Sequence, residues 1–316
     1  METLVKTPAF RLIFGREATA CRVDGSGLSA GLAMPVLAGR PVDRLLTIPE
    51  GGSVQRLGAL YLVKTDEGEV IGGFASLPCP GPVESVARQI YGEILPALGD
   101  QALYRMWNFV PHINATVAGR EQYQSFNVGR CHAFREHYGE AAMESRLPAA
   151  SAVGIDEPVL AVGFLTGRGP VAFFENPHQV PAYRYPEQYG PCSPSFARGA
   201  VVTGVDGGSI GYLSGTSSIR GHETIGKGSL EAQFGTTLEN IGAILERMGF
   251  ADGLDPDWAG ERAFRVYLRN PGDLDRVRER FASVVGETAA EADTMYLQAD
   301  ICRSPLLLEI EGVFAR

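Results

Sequence analysis

Met295-Tyr-Leu-Gln-Ala-Asp-Ile-Cys302-Arg-Ser-Pro-Leu-Leu-Leu-Glu309-Ile-Glu311-Gly-Val-Phe-Ala315 reads as two strands meeting at Ser304-Pro305. Side chains on a strand alternate between faces, so Leu307, Glu309 and Glu311 share one face and Leu306, Leu308 and Ile310 the other. Glu309 interrupts an apolar run. Three leucines precede it and an isoleucine follows, which puts a carboxyl at the rim of a desolvated space, where the neutral acid is favoured and the pKa rises. Such an acid donates a proton near neutral pH. The competing reading is an edge strand whose Glu309 and Glu311 meet water, and this stretch alone leaves both open.

The chain has 316 residues, enough for two domains or one internally duplicated unit. It is 45% hydrophobic and 21% charged, with 39 glycines and 20 prolines, as expected of a turn-rich globular protein. A formal net charge of −9 and no basic stripe exclude a protein that tracks a nucleic-acid backbone. Arginines inside a cleft still suit a small anion. No apolar run approaches a membrane span, and Met1-Glu-Thr-Leu-Val-Lys-Thr-Pro8 lacks the apolar core of a signal peptide, so a cytoplasmic location is expected. Cys21, Cys79, Cys131, Cys192 and Cys302 are odd in number and have no CxxC spacing, which predicts free thiols rather than disulfides or a zinc site.

Upstream, strand and turn signals fill residues 1 to 80, including Phe10-Arg-Leu-Ile-Phe14, a Gly/Pro-punctuated segment to Gly52, Leu60-Tyr-Leu-Val63 and Val70-Ile-Gly-Gly-Phe-Ala75, with no chemistry concentrated there. Helical spacing predicts helices over 82–98, 119–138, 230–248 and 274–285. Tyr104-Arg-Met-Trp-Asn-Phe-Val-Pro111 and Phe264-Arg-Val-Tyr-Leu-Arg-Asn-Pro271 occupy the same place in a helix, strand, Pro turn, helix, strand order. This predicts an internal duplication, with units over 1–150 and 151–316 and helices packed on mixed sheet. Strand-rich sequence fills 151 to 228.

Three segments suit anion recognition. Tyr123 and Arg130 lie seven residues apart, two turns along one helix face. The loop Val180-Pro-Ala-Tyr183-Arg-Tyr185-Pro-Glu-Gln-Tyr189, continuing to Ser195-Phe-Ala-Arg198, offers phenols and guanidinium groups without regular periodicity. Ser214-Gly215-Thr-Ser217-Ser-Ile-Arg-Gly221 follows a strand as a small-residue turn of the kind that binds anions. His222 reads as a solvated turn residue. Metal-spaced histidines, a nucleophile elbow and a dinucleotide fingerprint are all missing from the sequence.

Jointly, Arg105-Met-Trp-Asn-Phe-Val-Pro-His-Ile-Asn114, Tyr123 with Arg130, Tyr183-Arg-Tyr-Pro186 with Pro194-Ser-Phe-Ala-Arg198, Ser214-Gly-Thr-Ser-Ser-Ile-Arg-Gly-His-Glu-Thr224 and Leu308-Glu-Ile-Glu311 resemble the chorismatase family over roughly 100 to 316. The resemblance implies a duplicated YjgF/RidA-like α+β fold and chorismate as the partner molecule, with no cofactor or metal. It makes Glu309 the catalytic acid and assigns Tyr123, Arg130, Arg198 and either Tyr185 or Tyr183 to substrate binding. Gly215 and Cys302 are similar to the branch that forms 3-hydroxybenzoate, whereas the hydrolytic branch tends to carry Ala at the first of these. Ser217 departs from the commoner Ser-Gly-Thr-Ala-Ser turn. The alternatives are the hydrolytic chorismatase, which gives a dihydroxycyclohexadiene carboxylate, and a RidA-like enamine deaminase or small-metabolite binder. Monomer and small homo-oligomer both remain open.

Overall fold

The computed structural model describes residues 8–204 and 207–316; residues 1–7, part of the segment read above for a leader, lie outside them. Two sheets follow one plan. In the first, the strands run in the order Ala149–Ile155, Ala102–Pro111, Val159–Gly167, Val70–Pro78, Leu60–Lys64, Ser53–Leu57. The second repeats this as Thr294–Gln298, Glu261–Leu268, Leu308–Ala315, Ser209–Thr216, Gly199–Thr203, Val171–Phe174, with Val36–Ala38 added beyond Thr294–Gln298. In each sheet the second strand of the order pairs parallel with the first and antiparallel with the third. The expected duplication is therefore present in the strand order itself. The boundary expected at 150/151 falls inside Ala149–Ile155, which is bonded to Ala102–Pro111. Because strand pairing holds that segment in the first sheet, we propose the division after Gly167.

Each sheet carries a helix pair on its outer face. Glu84–Ala97 and Gln122–Tyr138 cover the first, burying Ile90, Ile94 and Phe126 against Met106 and Val110. Gly129 lets these two helices approach closely, since a Cβ there would meet the Glu84 carbonyl oxygen at 2.1 Å. Leu230–Met248 and Leu274–Val285 cover the second sheet, burying Ile241, Ile244 and Phe281 against Val266, Leu308 and Ile310. Each such side chain contributes about 1.5–3 kcal/mol on burial. No helix among the described residues is long and apolar enough to cross a membrane.

The inner faces meet in a third core, where Trp107, Phe109, Leu165, Tyr267 and Leu297 pack with Phe10, Leu12 and Leu28. Those last three belong to a four-stranded sheet ordered Ala20–Asp24, Gly27–Ala33, Ala9–Gly15, Val42–Thr47. The sequence indicated only the Phe10 strand of this sheet. The closing stretch forms the two expected strands, and they do not pair with each other: Glu261–Leu268 lies between them. Leu308–Ala315 is thus an interior strand, and the water-facing edge reading fails. Glu309 and Glu311 are 3% and 4% exposed.

Candidate active site

Glu309 faces inward because its neighbours Leu308 and Ile310 are taken up by the helix-covered core. It lines a cavity of about 460 Å³ that reaches both repeats. Tyr123 and Arg130 enter from the helix Gln122–Tyr138, Tyr185 and Arg198 from the loop before Gly199–Thr203, Gly215 and Ser217 from the end of Ser209–Thr216 and the turn after it, and Cys302 from the loop before the closing strand. The structure therefore gathers every predicted site residue except Tyr183. That side chain packs against the outer core of the first sheet, with the Arg184 guanidinium 5.7 Å from its ring centre. One residue separates the alternatives, and the turn Ala182–Arg184 directs Tyr185 into the cavity.

Both predicted arginines are buried. Arg198 donates through Nη2 to the Tyr185 hydroxyl at 2.7 Å, and Arg130 donates through Nη2 to Asn127 Oδ1 at 2.8 Å. Phe196 stands between them, with the guanidinium carbons 4.9 Å and 6.0 Å from its ring centre. Among the described residues, Nε of Arg130, Nε of Arg198 and Oε1 of Glu309 have no hydrogen-bond partner. Unmet donors on two buried arginines are the chemistry that takes up carboxylates.

Burial pushes the Glu309 carboxyl up to about 8, and the Glu311 charge adds to this; the Ser217 hydroxyl and the Arg105 and Arg198 charges work against it. Glu311 is held in the opposite state. Its Oε2 accepts from Arg105 Nη2 at 2.6 Å and from the Ser151 hydroxyl, and its Oε1 accepts from Arg265 Nη1 at 2.8 Å and Trp107 Nε1 at 2.9 Å. Although burial penalises its charge, these two arginines hold it below the usual carboxylate range. Two glutamates on one strand face are thereby split into a neutral acid and a fixed anion.

The turn at Gly215 is tied down by a hydrogen bond from its N–H to the Ser151 Oγ at 2.9 Å. A Cβ at this position would lie 2.0 Å from Glu309 Oε1, so only glycine lets the turn approach the acid this closely. The Cys302 loop is shaped by Arg269, which donates to the carbonyls of Leu306 at 2.7 Å, Arg303 at 3.1 Å and Ile301 at 3.3 Å. Burial pushes the Cys302 thiol up to about 12, so it stays neutral.

Sequence reasoning missed Ser151 and Arg303, both cavity residues. Arg303 lies 4.0 Å from the Tyr189 ring centre and 5.2 Å from that of Tyr185, and donates to the His222 carbonyl at 2.7 Å. Its place directly after Cys302 was the available signal. Ser151 sits in an apolar run of small residues and gave none.

Fold and site together make a cleft between two repeats in which buried arginines with unmet donors stand beside a carboxyl whose pKa is raised, an arrangement suited to a small anionic molecule. The N-terminal model of the FkbO/Hyg5-like chorismatases matches residues 52–166. A 3-hydroxybenzoate synthase of Streptomyces hygroscopicus is 36% identical over 85% of this chain and 79% of its own length. A chorismatase of Streptomyces rapamycinicus is 34% identical over 77% of this chain and 74% of its own. A solved chorismatase superposes with a TM-score of 0.81 at 25% identity, covering 99% of this chain and 94% of that one. The chain belongs to the chorismatase family.

Proposed function

We propose that this enzyme cleaves chorismate to 3-hydroxybenzoate and pyruvate, with Glu309 protonating the methylene carbon of the enolpyruvyl group. The observation that carries this reading is a buried carboxyl, pushed up to about 8, in the same cavity as two buried arginines. Chorismate has two carboxylates, which suits the Tyr185–Arg198 pair and Arg130 beside Tyr123 as anchors. Protonation at carbon leaves a cationic ether carbon and an ionised Glu309. The neighbouring ring hydroxyl then attacks that carbon within the molecule, its proton returning to Glu309. The ring carbon that bore this hydroxyl loses its C–O bond as the carbon bearing the ether oxygen loses its hydrogen, which makes the ring aromatic. The hemiketal left on the ether oxygen collapses to the phenol and to pyruvate, whose keto oxygen is the former hydroxyl oxygen.

Exclusion of water decides between this outcome and hydrolysis. The neutral Cys302 thiol holds water poorly. Ser217, whose hydroxyl would favour the hydrolytic reading by holding water, already lies within bonding distance of two protein acceptors. The reading is tested by incubating the protein with chorismate in oxygen-18 water and identifying the products. Expected are 3-hydroxybenzoate with an unlabelled phenol oxygen and an equal amount of pyruvate, and binding without turnover in Glu309→Gln. Diene diol as the sole product overturns the branch assignment. Turnover in Glu309→Gln within about tenfold of wild type overturns the acid.

A further inference from the structure

Ser217 is buried, lines the cavity and faces two acceptors at once. Its Oγ lies 2.9 Å from the Leu308 carbonyl oxygen and 3.3 Å from Glu309 Oε2. A hydroxyl has one proton to donate, so the two acceptors compete. While Glu309 is protonated, the nearer carbonyl is the better acceptor. Once Glu309 is ionised the order reverses, because hydrogen bonds to a charged acceptor are roughly twice as strong.

We infer that Ser217 is a positioning residue for the acid, its O–H turning from the Leu308 carbonyl to Glu309 Oε2 as Glu309 gives its proton to the substrate. This deepens the proposed function and rests on Glu309 being the acid. The proton balance is simple: the Glu309 O–H bond breaks, a C–H bond forms at the methylene carbon, and the carboxylate is left with one negative charge. Ser217 keeps its own proton and changes only its direction. Oε1, on the Gly215 side, has no partner among the described residues and carries the proton that leaves, while Oε2 receives the rotated hydroxyl. The new hydrogen bond exists after proton transfer and not before it, which is the condition for speeding the step rather than tightening ground-state binding.

The other groups acting on Glu309 do not change direction in this way. Glu311 and Arg105 are locked to each other, and Arg198 is held by Tyr185. Tyr123 and the Cys302 thiol stay neutral, since burial raises both. Among the described residues acting on Glu309, Ser217 has a choice of acceptor.

The test compares the pH dependence of kcat and KM in Ser217→Ala and Ser217→Thr with wild type, together with an infrared titration of the Glu309 carboxyl band in substrate-free protein. In Ser217→Ala the ionised acid loses a donor, so the alkaline limb and the carboxyl titration should move up by about one pH unit. In the same variant kcat should fall about tenfold while KM stays within about twofold. Ser217→Thr keeps the hydroxyl and should restore both. An unmoved limb overturns the inference, whether kcat is unchanged or lowered by packing alone. If Ser217→Ala does not fold, Ser217→Cys, a weaker donor, must shift the same limb upward, and an unmoved limb there overturns it equally. Failure of the underlying reading is seen separately, as retained turnover in Glu309→Gln.

Discussion

Replacing Glu309 with glutamine should stabilise the fold above neutral pH while ending turnover. The carboxyl moves from an ordinary value of 4.5 to about 8 on folding. The folded chain therefore binds this proton more tightly than the unfolded chain. The resulting stability is fully present below pH 4.5, falls as pH rises, and is gone once pH has passed through about 8. At about 1.4 kcal/mol per pH unit, the wild type should lose about 3–5 kcal/mol across that window through this one group. Glutamine does not titrate and loses nothing. Other ionisable groups are common to both proteins and cancel, and Glu311 is held ionised throughout by Arg105 and Arg265. Urea denaturation of both proteins between pH 5 and pH 9 reads the difference. The stability gap should widen in favour of Glu309→Gln by about 3–5 kcal/mol toward alkaline pH. Parallel profiles would show that the carboxyl titrates normally and cannot serve as a neutral acid near pH 7.

Gly215→Ala places a Cβ on the acid oxygen, which must move, so kcat should fall on the order of 100-fold, with the ratio of 3-hydroxybenzoate to diene diol as a second readout. A wild-type kcat would mean that Glu309 is not positioned by this turn. Arg198→Ala and Arg130→Ala should each weaken chorismate binding by about 2–4 kcal/mol, measured by calorimetry on the inactive Glu309→Gln background. Lysine should rescue either one only in part, since it lacks the planar fork, and normal binding by both alanine variants would place the substrate elsewhere. Glu311→Gln should cost about 3–5 kcal/mol of stability, because it leaves Arg105 and Arg265 buried around a neutral partner, and an unchanged urea midpoint would show the cluster to be dispensable.

Glu309 and Arg198 could be singled out in the sequence because each breaks a local pattern, whereas Tyr123 and Arg130 stood out by their spacing on one helix face, the loop left Tyr183 and Tyr185 open, and the family resemblance implied the role of each. A carboxylate in a leucine run, or a guanidinium in a Pro/Tyr-rich loop, conflicts with its surroundings unless it has a task. Glu311 could not be placed in the same way. The strand alone shows only that it shares a face with Glu309, which fits a wet edge as well as a buried cluster. Its burial follows only from the insertion of Glu261–Leu268 and from Arg105 and Trp107, more than 200 positions away. The amino-terminal sheet was hidden in a similar way. Gly27–Ala33 is built of small residues with weak alternation, and its pairing with Ala9–Gly15 is parallel, a relation with no hairpin signal.

The duplication also accounts for the candidate acid lying in one repeat and not in the other. Register makes Arg105 equivalent to Arg265 and Trp107 equivalent to Tyr267, each facing the antiparallel strand of its own repeat. On those antiparallel strands, Gly163 and Leu165 of the first repeat stand where the second has Glu309 and Glu311. The position matching the acid is empty of side chain, and Phe74, Trp107 and Leu12 close in around it, the last from the amino-terminal sheet. The first repeat thus gives up its own acid. It supplies Arg105, Ser151, Tyr123 and Arg130 across the interface to the second repeat's strand instead. Arg105 and Arg265, the same residue in the two copies, converge on Glu311 and fix it as an anion, whose charge adds to burial in raising the Glu309 carboxyl. Neither repeat lines the cavity alone, so on the proposed reading the asymmetry between two equivalent strands is what gives a duplicated scaffold one acid.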